Sequence, residues 1–302
     1  MNWSVSVPIK IDIDMYTSTT FTPFSMSMPD GRLVTFGRPQ VMGILNVTPD
    51  SFYGGSRSFD SIAIEQRVST MLAEGVDIID IGGYSSRPGA THVSEEEELR
   101  RLSLGMDIIR RHTTSIPVSV DTFRAEVARK AISEMGADIV NDISGGNLDE
   151  GMWDVVASVN APYILMHMRG NPENMMDFTE YEHVTRDVLS ELGDRLQQLA
   201  IMGIKDIVID PGFGFSKTLE QNYALLKDMP LFHLFHRPIL VGVSRKSMIT
   251  KLLSNTSEDG LIGSTAINTI ALMYGGASIL RVHDVAAARQ VVEIVEMTRH
   301  SE

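Results

Sequence analysis

The 302-residue sequence contains no cysteine, which removes disulfides and thiolate–zinc centres from consideration and fits a reducing compartment. Positive charge is scarce: 26 lysines and arginines face 39 aspartates and glutamates, for a formal net charge of -13. Such a surface gives no grip on nucleic acid or an anionic membrane, so any anionic ligand has to be held by a local cluster of bases. Long apolar runs are missing too. None approaches the roughly 18 residues of a spanning helix, and the N-terminus has no basic stretch leading into an apolar one. Neither a membrane span nor a signal peptide is expected, and a cytoplasmic protein is the default. The first strand-to-helix turn offers Gly54-Gly55 without the G-x-G-x-x-G spacing, which counts against a doubly wound dinucleotide-binding sheet.

What is present is one pattern, repeated. In VMGILNVTPDSFYGGSR (Val41 to Arg57), Val41, Met42, Ile44, Leu45 and Val47 read as a strand buried on both faces, and the run ends in Asn46, Thr48-Pro49-Asp50-Ser51 and two glycines. The same grammar recurs in VDIIDIGGYSSRPG, IPVSVDTFR, DIVNDISGG, YILMHMRGNP, DIVIDPGFGFSK, PILVGVSRKS and SILRVHDV, making eight apolar strands with polar tips. Helical patterns lie between them. Asp60 is placed to cap a helix carrying Ile64, Val68, Met71 and Leu72 and ending at Gly75; Ser94 with Glu97 forms a capping box, with Glu95 to Glu98 as first-turn charge and Leu99, Leu102, Met106 and Ile109 as its apolar stripe. Further helices are predicted near Arg124–Met135, Leu148–Ser158, Glu180–Met202, Thr218–Lys227 (capped by Thr218 and Gln221), Leu261–Tyr274 and Val285–Met297. Eight strands each followed by a helix predict an α/β fold, a (β/α)8 TIM barrel, over 38–302. Residues 1–37 form a separate extension. Val5, Val7, Ile9, Ile11 and Ile13 alternate as in a half-buried strand that Pro8 confines to an edge, and Met15 to Met28 with Arg32 to Phe36 reads as a hairpin under the barrel or, equally, as a disordered tail.

In such a barrel the C-terminal strand ends converge on one face. They carry Asn46, Arg87, Asp121, Asn141 with Asp142, His167, Asp210, Lys246, and Arg281 with His283. Each alone has a bland reading: Asp142 and Asp284 as helix caps, His167 as a satisfied loop histidine. Together, Asp121, Asn141 and Asp210 offer acceptors to a flat, donor-rich heterocycle, while Arg87, Lys246, Arg281 and His283 make a basic cluster in an acidic protein. A polar heterocycle beside a multiply charged anion is the expected ligand.

The motifs Gly43-Ile44-Leu45-Asn46-Val47-Thr48-Pro49-Asp50-Ser51-Phe52, Gly82-Gly83 with Ser86-Arg87-Pro88-Gly89, Ser119-Val120-Asp121-Thr122, Asn141-Asp142-Ile143, Met166-His167-Met168-Arg169-Gly170, Asp210-Pro211-Gly212, Ser244-Arg245-Lys246-Ser247 and Arg281-Val282-His283-Asp284 resemble dihydropteroate synthase, in order and from about Val41 to the last helix. The resemblance implies that 6-hydroxymethyl-7,8-dihydropterin pyrophosphate is joined to p-aminobenzoate, releasing pyrophosphate. It places the pterin on Asp121, Asn141, Met166, Asp210, Phe215 and Lys246, and the pyrophosphate on Asn46, Ser86, Arg87, Arg281 and His283, with Mg2+ as cofactor near Asn46. p-Aminobenzoate falls to Phe52, Pro88, Phe215 and Ser247, and Asp121, Lys246, Arg281 and His283 become the catalytic set. A homodimer through the last two predicted helices is implied as well. Two positions depart from the family pattern: Gly54 stands where many members have Asp, and Tyr84 where many have Glu, leaving the aniline proton to an acid such as Asp50 or to solvent. The alternatives are a non-catalytic pterin-binding paralogue and a methyltetrahydrofolate-dependent methyltransferase, whose chemistry needs no anion cluster.

Overall fold

The structure is a computed structural model and describes residues 21–48, 57–85, 92–254, 256 and 260–301, with 57–60 as backbone only. After a short antiparallel hairpin, β1 (Phe24–Ser27) and β2 (Leu33–Phe36), come eight parallel strands: β3 (Gln40–Asn46), β4 (Ile78–Gly82), β5 (Val118–Asp121), β6 (Ile139–Asp142), β7 (Tyr163–Met166), β8 (Ile207–Asp210), β9 (Leu240–Val241) and β10 (Ile279–Val282). They pair in the order β8-β7-β6-β5-β4-β3-β10-β9, and a parallel bridge from Ile209 to Ile239 joins the two ends into a (β/α)8 barrel.

Alternation along each strand sorts its side chains into two cores. Val41, Leu45, Ile79, Ile81, Val118 and Val120 face outward against Ile64, Val68, Met71, Leu102, Met106 and Ile109 of the surrounding helices. Met42, Ile78, Ile139, Ile164, Val208, Leu240 and Ile279 face inward at the lower end, where Met26, Met28 and Phe36 of the hairpin pack beneath them. Each such fully buried aliphatic side chain contributes about 1.5–3 kcal/mol. The hairpin is tied on by Ser27 N–H donating to Asp206 (2.9 Å) and by Arg32 pairing with Asp138 (2.7 Å). The alternating segment from Val5 to Ile13 lies outside the described residues.

The helices are α1 (Arg57–Ala73), α2 (Glu95–His112), α3 (Ala125–Met135), α4 (Met152–Val159), α5 (Val184–Ile201), α6 (Leu219–Lys227), α7 (Ser247–Leu253), α8 (Leu261–Met273) and α9 (Val285–His300). Several predicted termini need correction. Helix α1 starts at Arg57, so Asp60 lies in its first turn and does not cap it. Ser94 does accept the Glu97 N–H at 3.2 Å, but the Glu97 carboxylate turns to Arg100 and Arg101, so only half of that capping box forms. Glu98 is no surface charge: it is buried, accepting from Thr122 (2.8 Å) and Arg124 (2.6 Å). The Thr218–Gln221 box forms in full. Helix α7 went unforeseen, because a run of seven residues straight after a polar strand end shows barely two turns of periodicity.

Candidate active site

Register decides which polar tips meet. Asn46 lies beside Gly82, Gly82 beside Asp121, and Asp121 beside Asn141 on successive strands. Because Gly82 has no side chain, Asn46 and Asp121 approach across it; a Cβ at Gly82 would lie 3.5 Å from Asp121 Cβ and 3.8 Å from Asn46 Oδ1. On the opposite wall Met166 pairs with Asp210.

A buried ion network forms the floor. Arg281 donates from Nε to Asp80 at 2.6 Å and from Nη2 to Asp121 at 2.5 Å, while Asn141 Nδ2 donates to both Asp80 oxygens at 3.2 and 3.3 Å. Burial works against the charge of Arg281, but the two carboxylates outweigh it and raise its pKa; burial in turn raises that of Asp121, with Arg281 pulling the other way. Two of the five guanidinium N–H groups serve these contacts, which leaves three for an incoming anion. Asn141 thus spends its amide N–H on Asp80 and keeps its carbonyl oxygen as an acceptor.

Asp210 sits at the end of β8, 5% exposed, with Oδ1 accepting the Gly212 N–H at 2.7 Å. Burial raises its pKa; Lys246, the Gly212 N–H, Arg281 and Lys217 oppose that and favour the carboxylate. The turn after it has to be glycine: Gly212 has φ +73°, and a Cβ there would lie 1.9 Å from the His167 carbonyl oxygen. Lys246 reaches over the same turn, donating to Phe213 O at 2.6 Å, its ammonium 4.5 Å from the Phe215 ring centroid, and burial brings its pKa down to about 8 against the pull of Asp210. Phe215 and Met166 pack with Ile143, Met168 and Met175 into an apolar wall beside these charges. His283 stands at the rim, its N–H and its Nδ1 both on Ser244 Oγ at 3.2 and 3.1 Å. Ser247 is the exposed first residue of α7.

The barrel therefore gathers Asn46, Asp121, Asn141, Met166, Asp210, Phe215, Lys246, Arg281 and His283 at one end. Phe52, Ser86, Arg87 and Pro88, with Asp50 and Gly54, lie outside the described residues. Tyr84 packs edge-on against Phe123 (5.1 Å) with the Arg124 guanidinium 5.2 Å from its ring centroid. The bland reading holds for His167, which is fully buried with both ring nitrogens partnered; as helix caps Asp142 and Asp284 need correction, since Asp142 holds the turn at Ser144 and Gly146, and Asp284 stands at the start of α9 but turns its side chain to Arg245 and makes no cap hydrogen bond. Sequence reasoning missed Asp80, the centre of the floor. Its signal was present: a carboxylate in the middle of a strand otherwise buried on both faces has to find a partner inside. Among the described residues no group of three or more His, Cys, Asp or Glu is placed to hold a metal.

Comparison with known proteins gives the family and the fold. Residues 42–283 match the family model described as "Pterin binding enzyme". The dihydropteroate synthase of Synechocystis sp. is 43% identical over 279 residues, covering 90% of this chain and 95% of that protein. Among solved structures, Xanthomonas albilineans dihydropteroate synthase with 4-aminobenzoic acid superposes with TM-score 0.85 at 38% identity over 93% of this chain and all of that one. The same enzyme in complex with 7,8-dihydropteroate gives TM-score 0.81 at 34% identity, over 92% of this chain and 100% of that one.

Proposed function

Since this chain belongs to the dihydropteroate synthase family, we propose that its barrel mouth condenses 6-hydroxymethyl-7,8-dihydropterin pyrophosphate with p-aminobenzoate, giving 7,8-dihydropteroate and pyrophosphate for folate synthesis. The observation that carries the reading is the juxtaposition of Asp210, set between Lys246 and the Gly212 N–H, with the Arg281–Asp121 pair across the same mouth. The 2-amino and N3–H donors of a pterin suit the Asp210 carboxylate. Asn141 supplies a further acceptor, and Met166 and Phe215 supply apolar contact with the ring. The three remaining N–H groups of Arg281, with His283, Ser86 and Arg87, hold the pyrophosphate.

The bond from the pterin methylene carbon to the pyrophosphate oxygen breaks first, and its electron pair leaves with the pyrophosphate. The electron-rich ring delocalises the resulting cation, which Asp121 stabilises from across Gly82. Arg281 and His283 meet the charge gathering on the leaving group, the place where preorganised donors are worth most. The aniline nitrogen then forms the new C–N bond, and its proton passes to Asp50 or water. Phe52, Pro88, Phe215 and Ser247 hold p-aminobenzoate during this step. Asn46 offers a single amide oxygen toward Asp121, and no cage of protein ligands stands beside it among the described residues. That donor set fits a Mg2+ that takes most of its ligands from pyrophosphate and water. When bound, the ion neutralises leaving-group charge. We expect dihydropteroate to form only with Mg2+ present and chelation to stop turnover; tight binding of the pterin pyrophosphate with no product at saturating p-aminobenzoate and Mg2+ would instead indicate a paralogue that has lost catalysis.

The reading extends to a cytoplasmic homodimer; among the described residues no helix is long and apolar enough to cross a membrane. The sequence of α8 offers Ala266, Ile267, Ile270, Ala271 and Met273 as dimer surface, but Ile267 and Ala271 are buried in the core. The exposed apolar face is made by Ile262 (81% exposed), Ile270 and Met273 of α8, Tyr274 just after it, and Ile294 and Met297 (71%) of α9. Sedimentation at micromolar concentration is expected to give twice the 33.4 kDa chain mass, and a purely monomeric boundary excludes the dimer.

A further inference from the structure

One buried cation has no place in the reaction just described. Lys217, 3% exposed, turns its ammonium into the protein beneath the Asp210 turn, where it donates to Gly212 O (2.9 Å), Phe215 O (3.0 Å) and His167 Nδ1 (3.1 Å). Three acceptors for three N–H groups suit the charged amine, while burial brings its pKa down to about 7 against the pull of Asp210. None of the three is a carboxylate, so the charge is held without a contact ion pair, a costly choice for a lysine that could have reached solvent. His167 is neutral, its pKa brought down to about 3 chiefly by burial, and its Nε2–H donates to Glu191 at 3.0 Å. Glu191 in turn accepts from Arg169 Nε at 2.9 Å, and Arg169 lies 3.9 Å from the Tyr181 ring centroid. The chain Lys217–His167–Glu191–Arg169 thus ties the loop after β7 and the loop after β8 to α5.

Each contact of the ammonium lies next to a residue assigned to the pterin. Gly212 is gripped at its carbonyl while its N–H holds the Asp210 carboxylate; Phe215 is gripped at its carbonyl while its ring joins the apolar wall; His167 directly follows Met166. We propose that Lys217, anchored through His167 to Glu191, is a positioning residue for the pterin: it sets Asp210, Phe215 and Met166 as one rigid wall and acts on p-aminobenzoate only through Phe215, one of that substrate's four contacts. The inference rests on the assignment of those three residues to the pterin.

Steady-state kinetics of Lys217→Met with both substrates tests it, with Asp210→Asn run alongside. The expected result is a KM for the pterin pyrophosphate at least tenfold higher, with the KM for p-aminobenzoate changed less than threefold. Both constants rising by the same factor indicate general loosening of the fold and overturn the inference. A pterin KM within threefold of the parent, with Asp210→Asn still impaired, overturns it and leaves the site assignment standing; if Asp210→Asn is also unimpaired, the assignment itself is wrong. Should Lys217→Met not fold, Glu191→Gln perturbs the outer end of the same chain at a part-exposed position. It is expected to raise the pterin KM severalfold and selectively, and an unchanged value overturns the inference. In the parent enzyme, 15N NMR should show the His167 ring neutral with its proton on Nε2, and a proton on Nδ1 excludes the Lys217 contact.

Discussion

Arg281→Met is expected to destabilise the protein by about 3–5 kcal/mol near neutral pH, read from the urea midpoint at unchanged m-value. The size follows from what the guanidinium leaves behind. Asp80 is fully buried, and among the described residues its other side-chain partner is the Asn141 amide; Asp121 loses the cation 2.5 Å away. Removing both charges of a buried pair is often tolerated, whereas removing one strands the other in a medium that solvates it poorly. The pH dependence carries a sign. Burial already raises the Asp121 pKa, and without Arg281 it rises further above the unfolded value of about 3.9. The folded protein then binds a proton that the unfolded chain releases, so this part of the penalty vanishes below about pH 4 and grows as pH climbs toward the folded pKa. A variant whose loss of stability is under 1 kcal/mol, or is independent of pH from 4 to 8, shows that the floor is not held by this network.

The same network marks how far the sequence could be read. Strand and helix order were legible because both depend on local periodicity, and a strand buried on both faces, such as Val41 to Val47, has few other readings. The fold then followed from connectivity, since parallel neighbours need helical crossovers. The charges at the strand tips were legible as a set for the same reason: the barrel brings all C-terminal ends together whatever the loops do. Their pairing was not. Arg281 was read as a free anion ligand, yet it is shared with Asp80, and that contact joins residues about 200 positions apart. Glu98 was likewise read as helix-terminal charge because its neighbours are; only the packing of α2 against the β5–α3 turn shows that Thr122 and Arg124 draw it inside. Lys217 lies in the loop just ahead of the Thr218 cap, where nothing in the sequence marks it. Its inward course depends on Ser216 adopting φ +46°, a left-handed step that no local pattern announces.

Asp210→Asn should lower affinity for the pterin substrate by at least about 30-fold, roughly 2 kcal/mol, while leaving the fold nearly as stable as before. Both halves follow from the one hydrogen bond that the carboxylate accepts among the described residues. Oδ1 accepts the Gly212 N–H at 2.7 Å, and an asparagine can keep that bond by turning its carbonyl oxygen to the same place. The turn at Gly212 and the grip of Lys217 on its carbonyl then survive, and burial of a neutral amide removes a desolvation cost that Asp210 bears. What the amide must present to the ligand is the NH2 that replaces Oδ2. A pterin edge is itself two donors, so a charge-assisted acceptor becomes a donor facing donors. Flipping the amide does not rescue it, because the donor then faces the Gly212 N–H. Titration calorimetry with a pterin substrate analogue, paired with thermal unfolding, measures both halves. Affinity within threefold of the parent would mean that the heterocycle is recognised by some other wall of the barrel. A large loss of thermal stability would mean that the Gly212 contact, or the ammoniums of Lys217 and Lys246, need the full negative charge.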